Sequence, residues 1–142
     1  MPTDTHVISI KRLLDSLQQA MNNQDVDAFL LCFQDTYASE QPAHPGRDFR
    51  GHEQVRKNWE AIFNGVPNFH AELIRYTPTN DMVWTEWHWS GTRIDGSAFE
   101  MRGVFLWGVE AGLMTWGRSY MEHVEPDEFG IAGMINAITN DS

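Results

Sequence analysis

Apolar residues recur at helical spacing in the first part of the chain, with Ile10, Leu13, Leu14, Leu17 and Met21 on one side and Lys11, Arg12, Asp15, Gln18 and Gln19 on the other. The spacing predicts an amphipathic helix of about four turns, ended by Asn22-Asn23. Asp25 is a good N-cap for a second, shorter helix through Phe29, Leu30 and Phe33, which Asp35-Thr36 breaks. The stretch T-Y-A-S-E-Q-P from Thr36 then reads as a strand. After it, A-H-P-G-R-D-F-R-G reads as loop or rim, because Pro42, Pro45, Gly46 and Gly51 stand so close together. A third helix is predicted from about His52 to Asn64, with Val55, Trp59, Ile62 and Phe63 as its stripe. Asn64-Gly65 supplies a left-handed cap for it, and Pro67 forbids continuation.

The pattern then changes to period two. A strand over 68–76 turns at Pro78–Asp81 into an aromatic-rich stretch, Met82 to Val109, whose two arms meet at Asp95-Gly96, a strong hairpin signal. In the first arm Val83, Thr85, Trp87 and Trp89 share one face, while Trp84, Glu86, His88 and Ser90 share the other. In the second arm Phe99, Met101, Gly103 and Phe105 continue the apolar face opposite Glu100 and Arg102. A last strand runs from Leu113 to Val124 after the Ala111-Gly112 turn. The tail from Glu125, with Phe129, Ile131, Met134, Ile135 and Ile138, reads as a short helix that docks on the domain or on a second subunit. Helices followed by antiparallel strands give an α+β fold, with three N-terminal helices closing one side of a strongly curved antiparallel sheet. No repeat, linker or low-complexity segment divides the chain, so a single domain is expected over 1–142, with its core at about 8–124.

Composition narrows the function classes. The 142 residues can bury a substantial core, and a formal net charge of -10 sets the surface against nucleic acid and anionic membranes. Neither is expected as a partner. The lone cysteine, Cys32, lies in A-F-L-L-C-F and reads as a small core residue. The start M-P-T-D-T-H lacks a basic and apolar leader pattern, and no apolar run approaches the roughly 20 residues of a membrane span, so a soluble cytoplasmic protein is expected. Six tryptophans, clustered in or beside the proposed sheet, suit a domain that encloses an apolar hollow.

Several strings taken together, A-H-P-G with the following R-G, E-W-H-W-S-G-T, F-E-M-R-G-V and G-L-M-T-W-G-R-S-Y-M-E, resemble the SnoaL-like, polyketide cyclase-like branch of the nuclear-transport-factor-2-like superfamily. The resemblance covers about residues 8 to 124. It implies a cystatin-like, cone-shaped roll of curved sheet around a helix, with dimers commonly formed through the outer sheet face. The superfamily includes cyclases, isomerases, epoxide hydrolases, dehydratases and non-catalytic modules, so the fold implies a pocket and leaves the reaction open. Carried over residue by residue, the known acids are absent. Gln41 stands where ketosteroid isomerases have a general-base aspartate before Pro42, Trp87 and Trp89 match the positions of an inward Arg and Asp in limonene epoxide hydrolases, and Ser119 stands where those enzymes and the cyclases have an aspartate.

Candidate chemistry follows from the same alternation. Glu40 shares a strand face with Ala38; on the cavity side its pKa would be raised by desolvation, as a general acid or base requires. His44, between prolines at the expected pocket mouth, could act with it, since imidazole titrates near neutral pH. The catalytic candidates are therefore Glu40 and His44. Trp59, Phe63, Trp87, Trp89, Met101 and Phe105, with Phe99, are expected to line the pocket, and Thr85 and Ser119 to orient a ligand as neutral polar groups. Gly103 and Gly117 would leave room there. Glu86 and His88 project together, but from the face opposite Trp87 and Trp89, as an outer face or interface would. No His, Cys or carboxylate spacing indicates a metal, and no phosphate loop, dinucleotide fingerprint or nucleophile elbow is present, so no cofactor is expected. Two functions remain open: a cofactor-independent isomerase, cyclase or dehydratase moving protons on an apolar ring compound, or a non-catalytic ligand-binding or dimeric module. A homodimer is expected through outer-face Trp84, Trp116 and Tyr120.

Overall fold

In the computed structural model, which describes residues 2–125 and 130–140, the first helical stripe becomes α1, Asp4–Asn22. It starts earlier than its apolar spacing suggests because the Thr3 side chain accepts from His6 N–H and caps it. Its buried face is Ile10, Leu13, Leu14, Leu17, Ala20 and Met21. Asp25 caps α2, Val26–Leu30, by accepting from Ala28 N–H at 3.0 Å. Phe33 is not in this helix. The chain leaves α2 through a Cys32 N–H to Phe29 C=O bond of 3.1 Å, and Phe33 opens β1, Phe33–Glu40, its ring packed 4.9 Å from Phe29 and 4.8 Å from Tyr37. Sheet pairing and aromatic burial there override the helical spacing.

A 3-10 turn, Pro45–Arg47, and the short β2, Phe49–Arg50, lead into α3, His52–Gly65. Gly65 stays helical rather than capping in the left-handed region; the helix closes one residue later, where Val66 N–H meets Ile62 C=O at 2.8 Å. The remaining strands are β3 (His70–Pro78), β4 (Met82–Thr92), β5 (Ala98–Glu110) and β6 (Leu113–His123). In the β4–β5 turn Gly96 is left-handed at φ 89°, Gly96 N–H bonds Arg93 C=O at 2.9 Å, and Arg93 N–H bonds Ser97 C=O at 2.8 Å. Ser97 N–H and hydroxyl also donate to Asp95 and hold its carboxyl below the usual range.

The six strands form one open sheet in the order β2-β1-β6-β5-β4-β3. It is mixed rather than wholly antiparallel, because β1 runs parallel to β6 with Ser39 beside Gly117. The inner face of this α+β sheet packs against α1 and α3 around an aromatic core. The tail contains α4, Gly130–Asn140, which buries no residue: Ile131, Met134, Ile135 and Ile138 are all exposed. Phe129 lies outside the described residues.

Cys32 is buried at 3 % exposure, and burial pushes its thiol from 9.0 up to about 11. The unfolded chain ionises this thiol first, so its contribution is intact below pH 9 and is lost as pH rises to about 11. The full difference corresponds to about 2.7 kcal/mol, of which about 2 kcal/mol is lost between pH 8 and 10.5. Denaturant melts should show wild type losing about that much more stability between pH 8 and 10.5 than Cys32→Ala; parallel pH profiles would contradict the assignment.

Candidate functional site

The alternation of β4 decides what the inner sheet face contains. Val83, Thr85, Trp87 and Trp89 are at most 6 % exposed, while Trp84 on the other face is 50 % exposed. The even-numbered side chains bond along the outer face: Glu86 meets Arg75 at 2.9 Å, and His88 Nε2 meets Glu100 at 2.7 Å. Opposite β4, Met101, Phe105 and Trp107 of β5 complete the aromatic wall, with Phe105 and Trp107 stacked at 4.4 Å.

One hydroxyl fixes this wall. Thr85 Oγ1 accepts from Trp87 Nε1 at 2.7 Å and from Trp107 Nε1 at 3.0 Å, and donates to Phe105 C=O at 2.8 Å. A threonine hydroxyl has one donor and two acceptor positions, so its capacity is filled. Thr85 therefore does not have a free group with which to orient a ligand; it orients the two indoles instead.

Between this wall and α1, α2 and α3 lies a cavity of about 220 Å³. Its inner lining is apolar and includes Met21, Phe29, Phe33, Trp87, Trp89 and Trp107. Trp59, Met101, Phe105 and Ser119 also lie on its wall. Phe63 stands behind, packed 5.5 Å from Trp59 and 5.8 Å from Phe69, and Thr85 is likewise outside the lining. Trp89 Nε1 is buried with no hydrogen-bond partner among the described residues, its ring surrounded by Trp59, Phe69 and Phe105 at 5.4 to 6.0 Å.

The lining's polar groups are Tyr37, Ser39, Gln41, Arg47, Asn58 and Ser119. Tyr37 and Ser39 lie deep, and burial raises the Tyr37 phenol well above its ordinary pKa, with a smaller opposing effect from Ser39, so Tyr37 is a neutral hydroxyl. Gln41, Arg47, Asn58 and Ser119 are partly or fully exposed and form the rim. No carboxylate or histidine is among these lining residues.

Glu40 and His44 are placed elsewhere. Tyr37, Ser39 and Gln41 take the inward positions at this end of β1, so Glu40 faces the opposite side and bonds Arg118 Nε at 3.3 Å. The expected sharing of the cavity face by Ala38 and Glu40 is thus one residue out of phase. The inward rings of Phe33 and Tyr37 carry the signal that would have fixed it. His44 is on the rim turn, with Nε2 3.2 Å from Glu122, and the structure does not join it to Glu40. Gly103 and Gly117 do not enlarge the hollow. A Cβ at Gly103 would meet the Tyr120 carbonyl, and one at Gly117 would meet the Tyr37 hydroxyl and the Trp107 ring, so both glycines allow neighbours to approach. Trp116 is only partly exposed because its indole folds over Gly108. Among the described residues, no group of three His, Cys, Asp or Glu side chains could hold a metal ion, and no helix is long and apolar enough to cross a membrane.

A curved sheet with helices against its inner face and an aromatic interior defines the nuclear-transport-factor-2-like, cystatin-like class. Within it, this chain belongs to the SnoaL-like domain family, whose model matches residues 13–116. Solved structures share the fold. A Mycobacterium tuberculosis protein in complex with estradiol-17beta-hemisuccinate is 20% identical, with a TM-score of 0.68 over 79% of this chain and 92% of that chain. A Catenulispora acidiphila protein of ketosteroid isomerase-like fold, in complex with trimethylamine, is 16% identical, with a TM-score of 0.64 over 76% of this chain and 83% of that chain. A protein of this class from Anabaena variabilis is 14% identical, with a TM-score of 0.71 over 86% and 92%. No curated protein matches the chain.

Replacing Thr85 with Val strands two buried indole donors at once, each costing about 1–3 kcal/mol. Thr85→Val should therefore lower stability by about 2–6 kcal/mol in urea unfolding, and Thr85→Ser should retain most of it; a loss below about 1 kcal/mol for Thr85→Val would remove the hydroxyl from its assigned role.

Proposed function

We propose that this chain binds a small ring-containing, largely apolar molecule in the hollow between the inner sheet face and the helices. The observation that carries this reading is the cavity of about 220 Å³ walled by Trp59, Trp87, Trp89, Phe105 and Trp107. A dry apolar cavity of about 150 Å³ accepts benzene, so by proportion this one holds roughly ten heavy atoms, one or two fused rings. That lies below the roughly 300 Å³ at which drug-sized pockets begin. The small molecules named with the Mycobacterium tuberculosis and Catenulispora acidiphila structures, estradiol-17beta-hemisuccinate and trimethylamine, support a ligand-binding use of the fold. A lining without carboxylate or histidine favours binding over proton transfer within the hollow.

A second reading keeps catalysis at the rim. His44 lies beside Glu122, and its N–H and C=O bond the backbones of Gln41 and Arg47, both lining residues. A carboxylate-held imidazole there could exchange a proton on the exposed edge of a bound ring, as an isomerase, cyclase or dehydratase would, with Glu40 reaching it only by leaving Arg118. Wild type should then speed deuterium exchange at the α-carbon of 2-tetralone, followed by NMR, and His44→Gln should abolish the effect; exchange at the buffer rate with wild type would exclude this reading.

We also infer that two copies pair through the outer sheet face. Trp84 is 50 % and Tyr120 43 % exposed, and the pairings Trp84 with Leu106 and Val104 with Tyr120 make them one patch across β4, β5 and β6. Light scattering at micromolar concentration should give the mass of two chains, and Tyr120→Glu the mass of one; a wild-type mass of one chain would contradict pairing.

For the hollow, calorimetric titration should show 2-naphthol binding to wild type and estradiol binding at least tenfold more weakly. Ser119→Phe should weaken 2-naphthol binding at least tenfold without changing the melting temperature. No heat from 2-naphthol or from smaller rings such as phenol would overturn the proposed function.

A further inference from the structure

Among the described residues the wall of the hollow has one charged side chain, and it is a cation. Arg47 ends the Pro45–Arg47 turn, where its N–H bonds His44 C=O at 2.9 Å and His44 N–H bonds Gln41 C=O at 2.8 Å. These nested bonds, together with Pro42 and Pro45, hold the turn in one shape, so little backbone freedom remains to be lost when a ligand arrives. The guanidinium donates to Gln41 Oε1 at 3.2 Å. Among the described residues no carboxylate lies within 4.0 Å of it, as is also true of Arg12, Arg50 and Arg93, whereas Arg56, Arg75, Arg102 and Arg118 each face one; of the four unpaired arginines, Arg47 is the one on the wall of the hollow. Its neighbour Asp48 is turned away, its carboxylate accepting from Gln41 N–H at 3.0 Å.

This is an unexpected arrangement in a chain with 20 acidic and 10 basic residues. The acids outnumber the bases twofold, yet among the described residues the hollow is lined by no acid and by one arginine without an ion-pair partner. We propose that the molecule bound here is a ring-containing carboxylate, its one or two rings in the aromatic interior and its carboxylate at the rim on Arg47. This rests on the binding reading of the hollow given above. One guanidinium matches one negative charge, and its planar fork matches a carboxylate edge, which favours a monoanionic acid over a phosphate dianion. Asn58 supplies a further amide donor on the rim, and Ser119 and the neutral Tyr37 hydroxyl are available to a ring substituent. The net charge of -10 repels anions at long range, so a preference for the acid would have to come from this local site.

The test compares two probes of the same shape, 2-naphthoate and 2-naphthamide, by calorimetric titration at neutral pH and moderate salt. Wild type should bind the acid about 5- to 10-fold more tightly than the amide, between what an exposed ion pair and a charge-assisted hydrogen bond contribute. Arg47→Gln should bring the acid to the amide's affinity, with a smaller effect on the amide than on the acid, and Arg47→Lys should retain part of the preference. Equal binding of the two probes to wild type, or a preference that survives in Arg47→Gln, overturns the proposal and leaves the hollow as a neutral binding site. Failure of both probes, together with 2-naphthol, overturns the binding reading as well. Arg47 is exposed and its removal takes away no core contact, so both variants should melt with wild type, and Arg47→Lys provides the comparison should Arg47→Gln not fold.

Discussion

The interior depends on a single hydroxyl placed by strand alternation. Two tryptophans on adjacent strands bring indole N–H groups into the buried interior, where an unpaired donor is costly. Thr85 meets both, and its own hydrogen goes to the Phe105 carbonyl. The aromatic wall is consequently a fixed surface. A β-branched residue at this position also suits the strand, so local preference and the polar requirement agree. A one-residue slip of β4 would exchange Thr85, Trp87 and Trp89 for Glu86 and His88 and bury charges in place of rings.

Charge is distributed to match that interior. The acids of the sheet pair across its outer face, Glu86 with Arg75, Glu100 with His88 and Glu40 with Arg118, where water moderates each pair. Inside, the polar groups are neutral except at the rim. The lining positions Gln41, Trp87, Trp89 and Ser119 are neutral polar or aromatic side chains that hold shape and cannot take a proton at neutral pH. On the proposed reading the inner sheet face would select by shape, and the Pro45–Arg47 turn is where charge would contribute.

Much of this was legible in the chain. The phase of β4 could be read because four inward positions contrast with Glu86 and His88, and Asp25 and Gly96 marked a cap and a turn by local chemistry that does not depend on the rest of the fold. In the structure β1 differs from the expected phase by one residue. Its inward face mixes Tyr37 with Ser39 and Gln41, so polarity alone pointed to Glu40, whereas the aromatic spacing from Phe33 to Tyr37 gave the correct side. Trp107 was accessible by extending the alternation of Met101 and Phe105 by two residues. The parallel pairing of β1 with β6 left no local trace, since it joins Ser39 to Gly117 across most of the chain. For the same reason Gly117 looked like empty space: the Tyr37 hydroxyl and the Trp107 ring that occupy it arrive from other strands.

The central claim is that the hollow, and no other tryptophan-bearing surface, receives the ligand. Fluorine NMR of 5-fluorotryptophan-labelled protein, titrated with a naphthalene-sized ring compound, reads this directly, because Trp59, Trp87, Trp89 and Trp107 line the hollow while Trp84 and Trp116 do not. The account predicts that the four lining resonances shift with a common saturation curve while those of Trp84 and Trp116 stay in place. Movement of the Trp84 or Trp116 resonances with the other four stationary, or no movement of any, would contradict it.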